Sequence, residues 1–408
     1  MSPRHTVEKI GGASMAATDA VFENVLVGRR KGVDLYNRVF VVSAYAGITD
    51  LLLEHKKSGA PGIYARFVTE DASWEAALDA VRREMRGRNA AMFARAARRD
   101  EADAFVSDRL EVMRDCLADL QRLRARGHFQ LSEPLAVVRE MLAGLGEAHS
   151  AHSTALLLQD RGIDAAFIDL TGWGESAPPP PLDERIRKAL ADVDPATRMP
   201  IVTGYARCEG GMVSVWDRGY SEITFSRIAA LTGAREAIIH KEFHLSSADP
   251  KLVGAKARKI GRTNYDVADQ LANLGMEAIH PRAARELRLA GIPLRVRSSF
   301  DREDEGTLIC GDHVPQKPRV EIVTGLPSLF ALQVFEQDMV GEKGFDAAIL
   351  EALTRQRARI VSKSSNANTI THYLAASAEV VDSVVADLQA RFPAADISAR
   401  EVAIVSAI

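Results

Sequence analysis

Apolar and polar positions alternate in two rhythms along the chain. Up to about residue 50 the order is TVEKIGG, ASMAATDAVFENVLVGRRKG and RVFVVSA: a short apolar run, a glycine turn, an amphipathic stretch and a second apolar run. Continuous apolar runs of this length suit strands buried on both faces, so the segment predicts a βαβ beginning. Residues 74–127 change period. WEAALDAVRREM and FVSDRLEVMRDCLADLQRLRARG carry apolar residues every three or four positions among dense charges and no proline. That pattern predicts two or three amphipathic helices with solvated outer faces and no chemistry of their own.

The α/β rhythm then returns. PLAVVREMLAGLGEAHSAHSTALLLQDRG reads as a helix, AAFIDL and PIVTGYA as strands, SEITFSRIAALTG as a helix and EAIIH as a strand. SAPPPPLDERI is a rigid surface connection. After GTLIC, the polar stretch GDHVPQKP with its two prolines marks a boundary, so the expected domains are 1–313 and 318–408. The second reads strand LFALQVFEQ, helix GFDAAILEALTRQR, strands ARIVSKSS and TITHYLAAS, helix AEVVDSVVADLQARF and strand EVAIVSAI. This is a split βαββαβ order.

Composition narrows the partners. The 408 residues suffice for more than one core. The 52 basic and 55 acidic residues are interspersed, giving a net charge of −3, so neither nucleic acid nor a membrane surface is expected as a partner. No apolar run reaches the roughly 18 residues of a membrane span and no secretory leader is apparent, which predicts a cytoplasmic protein. Cys116, Cys208 and Cys310 are far apart and form no CxxC, the usage of a reducing compartment.

The chemistry concentrates in glycine turns. Lys9 followed by Gly11, Gly12 and Ser14, straight after a strand, offers bare backbone donors and a full positive charge to one anion. Such a pair alone is a weak signal, since most are plain turns. A second turn, VVSAYAGITDLLL, places Ser43, Gly47 and Thr49 at the carboxyl end of the next buried strand, the usual ligand edge of α/β sheets.

Taken in order, VEKIGGAS, VVSAYAGITDLL, GLGEAHSAHSTALLLQDRGI, IVTGY, DRGYSE, SSADPK and GMEAIHP resemble the aspartate kinases of the amino-acid kinase superfamily. The resemblance covers residues 5–310, and the tail is similar to an ACT domain. It implies a three-layer αβα amino-acid kinase fold with a mainly parallel central sheet, followed by a C-terminal ACT-like βαββαβ domain. The implied reaction is phosphoryl transfer from ATP, with Mg²⁺, to the β-carboxylate of aspartate. No general base is needed, because that carboxylate is already ionised at neutral pH. No protein metal ligand is assigned, the phosphates carrying the ion.

By the same resemblance, Lys9 neutralises the transferred group and Glu222 orients charge around it. Arg218 grips the α-carboxylate of aspartate, Glu147 holds the α-ammonium, and Ser43, Thr49 and Ser221 complete the hydrogen bonds. Lys9, Gly11, Gly12, Ser14, His240, Lys241, Ser246 and Lys251 are the expected nucleotide contacts. Asp338, Met339, Gly344, Ser364, Ser365, Asn366 and Asn368 lie in loops that bind an amino acid across an ACT dimer, so a homo-oligomer through this domain is expected; dimerisation without an effector is the equal alternative.

The departures are specific. Glu222 stands for an aspartate, and one methylene more shifts the carboxylate by more than an ångström. Asp217 and Tyr220 occupy glycine positions, so the turn must accept two side chains. In HKEFHLSSADPK, Lys241 replaces an acid, Ser246 an aromatic residue and Lys251 an arginine, while Glu277 replaces a lysine. Acid and base have thus changed places, and Lys241 is expected to pair with Glu277. These features resemble a shorter branch of the family associated with ectoine synthesis. His149 and His152 form an HxxH, read as helix packing rather than a metal site, and His280 before Pro281 is expected to end a helix. A kinase for another amino-acid carboxylate, such as glutamate, and a silent ACT-bearing sensor are the alternatives.

Overall fold

The computed structural model describes residues 5–56, 58–216, 219–273 and 279–408, and the chain divides into two compact units. The first comprises residues up to 245 together with 259–265 and 279–314. The second comprises 246–258, 266–278 and 315–408, so two short segments before the expected boundary cluster with the tail. Among the described residues, no helix is long and apolar enough to cross a membrane.

The first unit is built on an eight-stranded sheet of β1 (Thr6–Ile10), β2 (Arg38–Val42), β3 (Ala165–Ile168), β4 (Met199–Thr203), β5 (Glu236–Lys241), β6 (Arg262–Asn264), β7 (Leu294–Ser298) and β8 (Thr307–Cys310). The order is β3-β4-β2-β1-β5-β7-β8-β6, parallel except for the antiparallel β7–β8 pair. Every residue of β1, β2 and β4 is buried, including the charged Glu8 and Lys9 of β1 and Arg38 of β2. The strand β7 was not anticipated, because Arg295 and Arg297 break its apolar run.

Alternation along β1 sends Glu8 and Lys9 to opposite faces. On the Glu8 face lie the helical stretch 12–26 and the helix Ser132–Asp160: Arg38 of β2 donates to the carbonyls of Val25 and Leu26, each at 2.7 Å, and His152 packs on Phe167 of β3. On the Lys9 face lies the helix Tyr220–Thr232, whose Arg227 reaches Asp183 of one neighbouring helix at 2.9 Å and Glu286 of another. The result is helices on both faces of a parallel sheet.

Helices Trp74–Met92 and Ala96–Arg124 add to that plan. The first buries Trp74, Leu78, Val81 and Met85, the second Val106, Leu110, Met113 and Leu117. They meet the helix Ser132–Asp160 through its two histidines. His149 Nε2 lies 2.8 Å from Asn89 Oδ1, and His152 stacks on Phe105 with ring centroids 4.0 Å apart. Burial lowers His149 to about 3 and His152 to about 4, so both are neutral packing groups.

The second unit holds β9 (Val323–Phe335), β10 (Arg359–Ser365), β11 (Thr369–Ala375) and β12 (Asp396–Ala407) in the antiparallel order β10-β11-β9-β12, with helices Phe345–Arg355 and Ala378–Arg391. Leu332, Val334, Ile370 and Leu374 of the sheet pack with Ile349, Leu353, Val384 and Leu388 of the helices. This is the expected βαββαβ order. The paired strands β9 and β12 are longer than their apolar runs: β9 continues back through Pro327 and Ser328, at an irregularity in its pairing with β12, where Ser328 has φ +57°.

A buried polar knot ties the sheet to the 12–26 stretch. Glu8 is 2% exposed, takes Nε and Nη2 of Arg38 at 2.7 and 2.9 Å, Thr6 Oγ1 at 2.9 Å, and lies 2.7 Å from His240 Nε2. Burial alone would raise its pKa, but Arg38 and His240 hold it well below the carboxylate range; burial keeps His240 below its usual value. Removing the guanidinium strands a buried carboxylate and two carbonyls. Arg38→Ala is therefore expected to cost about 3–5 kcal/mol in urea unfolding, and a loss under about 1 kcal/mol, the size of one ordinary hydrogen bond, would refute the role of the knot.

Candidate active site

The glycine turn after β1 is locked against the turn after β2. Gly11 N–H donates to the His240 carbonyl at 3.1 Å, Ser43 N–H to Ile10 at 3.2 Å and Ala46 N–H to Gly12 at 3.0 Å. A Cβ on Gly12 would stand 2.6 Å from the Ala44 carbonyl oxygen, so only glycine fits. Ser14, wholly buried in the next turn, has an Oγ without a hydrogen-bond partner. The two turns form a cradle of bare backbone with an unused buried hydroxyl, a fit for a phosphate-bearing group. Thr49 lies in the first turn of Ile48–Leu52, which Gly47 opens with φ +86°.

Lys9 rises on the other face of β1 and pairs with Glu222 at 3.2 Å, both 8% exposed. The second oxygen of Glu222 accepts the His280 N–H. Burial pushes the Glu222 pKa up, but Lys9, Lys241 and the His280 N–H outweigh it and hold the carboxyl below its ordinary value. The longer side chain at position 222 thus bridges an ammonium on β1 and a helix start at 280.

The neighbouring carboxylate behaves in the opposite way. Glu147 is 2% exposed and accepts from Ser221 Oγ at 2.7 Å, while Ser43 Oγ lies 3.2 Å from Ser221 Oγ. Its Oε2 has no hydrogen-bond partner. Burial raises its pKa to about 7 against the lowering pull of Ser221 and Lys9. Gly204 makes room for this group: a Cβ there would lie 2.6 Å from Ser221 Cβ and 2.8 Å from Glu147 Oε2. The site therefore presents a buried cation, an ionised carboxylate beside it, and a second carboxyl with an open oxygen, an arrangement able to receive an ammonium group and to neutralise an anion.

The structure thus brings together Lys9, Ser43, Glu147, Ser221 and Glu222, with Gly11, Gly12 and Ser14 on the adjoining turn. His240 departs from its expected place: its side chain belongs to the Glu8 knot on the face opposite Lys9, and only its carbonyl meets the turn, at Gly11. Lys241, at the end of β5, acts on Glu222. Ser246 is buried in the second unit. Arg218, Asp217, Glu277 and the side chain of Lys251 lie outside the described residues. Tyr220 turns inward, 5% exposed, with its ring edge-on to Tyr205 at 5.7 Å, so at this position the turn accepts its extra side chain by burying it.

His280 corrects an expectation. It begins a helix, Pro281–Leu289, as N-cap: its Nδ1 accepts the Arg282 N–H at 3.3 Å, and Pro281 follows where a missing N–H costs nothing. The His–Pro dipeptide signals a boundary of either sense, and the link to Glu222 had no local signal. In the second unit, Asp338 and Met339 sit in the short turn after β9, Gly344 opens the helix Phe345–Arg355 with φ +112°, and Ser364 and Ser365 end β10. Asn366 Oδ1 accepts from the Asn368 and Thr369 N–H groups at 3.1 and 2.8 Å, and Glu336 N–H donates to the Asn368 carbonyl at 3.0 Å. Both loops thus meet at one end of the four-stranded sheet.

A bare glycine turn just beyond a buried lysine, on a parallel sheet covered by helices, is an arrangement that suits a phosphoryl-transfer class of protein. The profile described as the amino acid kinase family matches residues 4–298, and the chain belongs to that family. It is 51% identical over 407 residues to aspartate kinase Ask_Ect of Stutzerimonas stutzeri (strain A1501), covering 99% of this chain and 85% of that protein. It is 32% identical over 182 residues to an aspartokinase of Bacillus sp. (strain MGA3), 42% of each chain. Among solved structures, E. coli aspartokinase III in complex with lysine and aspartate, in its T-state, matches with TM-score 0.71 at 19% identity over 99% of this chain and 87% of that one. The same protein with aspartate and ADP, in its R-state, matches with TM-score 0.66 at 20% identity over the same shares. At these identities the two structures speak for the fold. Within the family, the extent of the 51% match sets the chain among the aspartate kinases.

Proposed function

We propose that this chain transfers the γ-phosphoryl group of Mg-ATP to the β-carboxylate of L-aspartate in the cytoplasm, giving 4-phospho-L-aspartate. The observation that carries the reading is the buried Lys9–Glu222 pair beside the Gly11–Gly12 turn, with Glu147 and Ser221 next to it. The attacking carboxylate needs no base, so catalysis consists of positioning and of neutralising anionic oxygens. Lys9 supplies the charge, Gly12 and Ser14 the donors, with Gly11 shaping the turn through its bond to the His240 carbonyl, and Glu147 the acceptor for the α-ammonium; Arg218 is assigned the α-carboxylate, with Ser43, Thr49 and Ser221 completing the contacts. Lys241, Ser246 and Lys251 are assigned to the nucleotide, with the His240 carbonyl at its edge.

Mg²⁺ supplies charge to the phosphates when bound. Glu222 has both oxygens engaged by Lys9 and His280, so the ion is held mainly by the phosphates themselves. Relationship to a protein named Ask_Ect supports a place in ectoine synthesis.

Hydroxylamine trapping of acyl phosphate tests the reaction. Aspartate with Mg-ATP is expected to give hydroxamate, and Lys9→Ala to abolish it. Product from glutamate alone would move the assignment to the other amino-acid kinases, and no product from either would leave the sensor reading.

The raised Glu147 pKa sets a pH dependence. Glu147 must be ionised to take the ammonium, and in the free site it titrates at about 7. Below that pH, kcat/KM for aspartate is expected to fall about tenfold per unit. The bound ammonium holds Glu147 ionised, so kcat falls less. Glu147→Gln should remove this limb, and a variant with an unchanged profile would refute the assignment.

Assembly into a homo-oligomer is assigned to the second unit, where β10 leaves a largely exposed sheet edge. Its effector loops, with Asp338, Met339, Gly344, Ser364, Ser365 and Asn366, are assigned to an amino acid. Sedimentation should give a multiple of 44.4 kDa, and a monomer would overturn the assembly; a shift with threonine or lysine that Asp338→Ala abolishes supports the loops, and no shift leaves dimerisation without an effector.

A further inference from the structure

The face of the sheet opposite Lys9 carries a second concentration of charge. By register, Ile238 of β5 and Arg295 and Arg297 of β7 share the Glu8 face. Arg295 and Arg297, with Glu236, line a cavity of about 560 Å³, walled by Gly28–Arg30 on one side and by residues 302–305 on the other. Its lining holds five arginines and three glutamates. A neighbouring cavity of about 190 Å³ shares Arg30, Glu236, Arg295 and Arg297 and adds Arg38 and Arg235.

The carboxylates are mostly spent. Glu236 takes Arg295 Nε at 2.7 Å, and Glu303 takes Arg29 at 2.5 Å and Arg302 at 3.3 Å. Two guanidiniums keep unused donors. Arg297 is held by the carbonyls of Arg302 and Asp304, each 3.2 Å from Nη2, and its buried Nε has no partner. The Arg30 side chain donates to no group among the described residues, and besides its own partial burial the charges of Arg38, Arg297 and Arg235 all disfavour its protonated form, with only Glu8 opposing them.

Both arginines are fixed by glycine turns. Gly28 has φ +62°, and a Cβ on it would stand 3.1 Å from Arg30 Nη1. Gly306 has φ +79°, and a Cβ there would lie 2.1 Å from the Val296 carbonyl and 2.8 Å from Arg297 Cγ. Arg30 and Arg297, half-buried and with no carboxylate partner among the described residues, carry a cost that an anion relieves, and the guanidinium fork matches phosphate and carboxylate oxygens in pairs. The volume is that of a small-molecule site.

We infer that this cavity binds a small multivalent oxyanion, bearing phosphate or several carboxylates, between Arg30, Arg295 and Arg297. The anion is a ligand in addition to the substrates of the Lys9 site.

The test is calorimetric titration of the full chain with inorganic pyrophosphate and, separately, with citrate, so that the two arms distinguish phosphate from carboxylate. Lys9→Ala is titrated alongside, since pyrophosphate also suits the glycine cradle. At least one anion should bind saturably, undiminished in Lys9→Ala and about tenfold or more weaker in Arg30→Met. Arg30 holds nothing else in place, so Arg30→Met should melt no lower than the wild type in buffer. The bound anion should raise the melting temperature of the wild type and not that of the variant. No binding of either anion, binding that survives Arg30→Met, or binding that needs Lys9 overturns the inference.

Discussion

The architecture turns on one constraint: a lysine ammonium is buried in a parallel sheet whose other buried charges, Glu8 and Arg38, are already paired with each other on the opposite face. Desolvating an isolated ammonium costs several kcal/mol, so the fold must bring an anion to it. Glu222 does this from a helix more than two hundred residues away in sequence, at 3.2 Å, and its other oxygen is tied to the backbone at His280. Three elements, β1, the helix Tyr220–Thr232 and the helix Pro281–Leu289, are therefore registered by one carboxylate. The cation is stored in a form that a stronger anion can claim, because Lys9 is held by one carboxylate oxygen and keeps its remaining donors for a newcomer, while both oxygens of Glu222 stay engaged.

The strand that carries Lys9 does a second job with the preceding residue. Glu8 faces the other way and gathers Arg38, Thr6 and His240, through which β1, β2, β5 and the 12–26 stretch are fixed to one another. Neighbouring residues of one strand thus divide the work: Glu8 is fully satisfied and holds the frame, while Lys9 is satisfied by one partner and serves the site. A change at Glu8 would reach Lys9 through the backbone of a single residue, so the frame and the site cannot be altered independently.

What could be read from the chain was local. The glycine turn, the hydroxyls at 43 and 49 and the helix bearing Glu147 announce themselves within about ten residues, because backbone geometry and periodicity are short-range properties. The contacts that give those residues their character are long-range. The His280 N–H that Glu222 accepts, the space that Gly204 leaves for Glu147, and the capture of His240 by Glu8 each join segments dozens to hundreds of residues apart, and no spacing rule links them. The arginines of β7 hid that strand for a related reason: Arg295 and Arg297 interrupt the apolar run yet are accommodated by Glu236 and by backbone carbonyls brought in from elsewhere. Strands β9 and β12 of the second unit exceed their apolar runs because antiparallel pairing extends along exposed backbone without needing buried side chains.

The two glutamates of the site show how one environment produces opposite ionisation. Both are almost fully buried and both lose water, which raises either pKa. Glu222 has Lys9 within contact, Lys241 nearby and a backbone donor, and these outweigh its burial. Glu147 has one side-chain donor, Ser221, with further lowering pulls from Lys9 and the backbone at Tyr205 and Ala44, and together they do not. The consequence for the proposed function is directional: the acceptor proposed for the ammonium is Glu147, whose Oε2 has no hydrogen-bond partner and whose pKa is raised, and not Glu222, whose oxygens are taken. Ser221 and Glu222, adjacent on one helix, then couple the two ends of the site, the first touching Glu147, the carboxyl proposed for the amino group, and the second touching Lys9, the lysine proposed for the phosphate. The distance between amino-acid recognition and phosphate neutralisation is set by one peptide unit on a buried helix, which fixes the reacting groups relative to each other more firmly than either could be fixed by a loop.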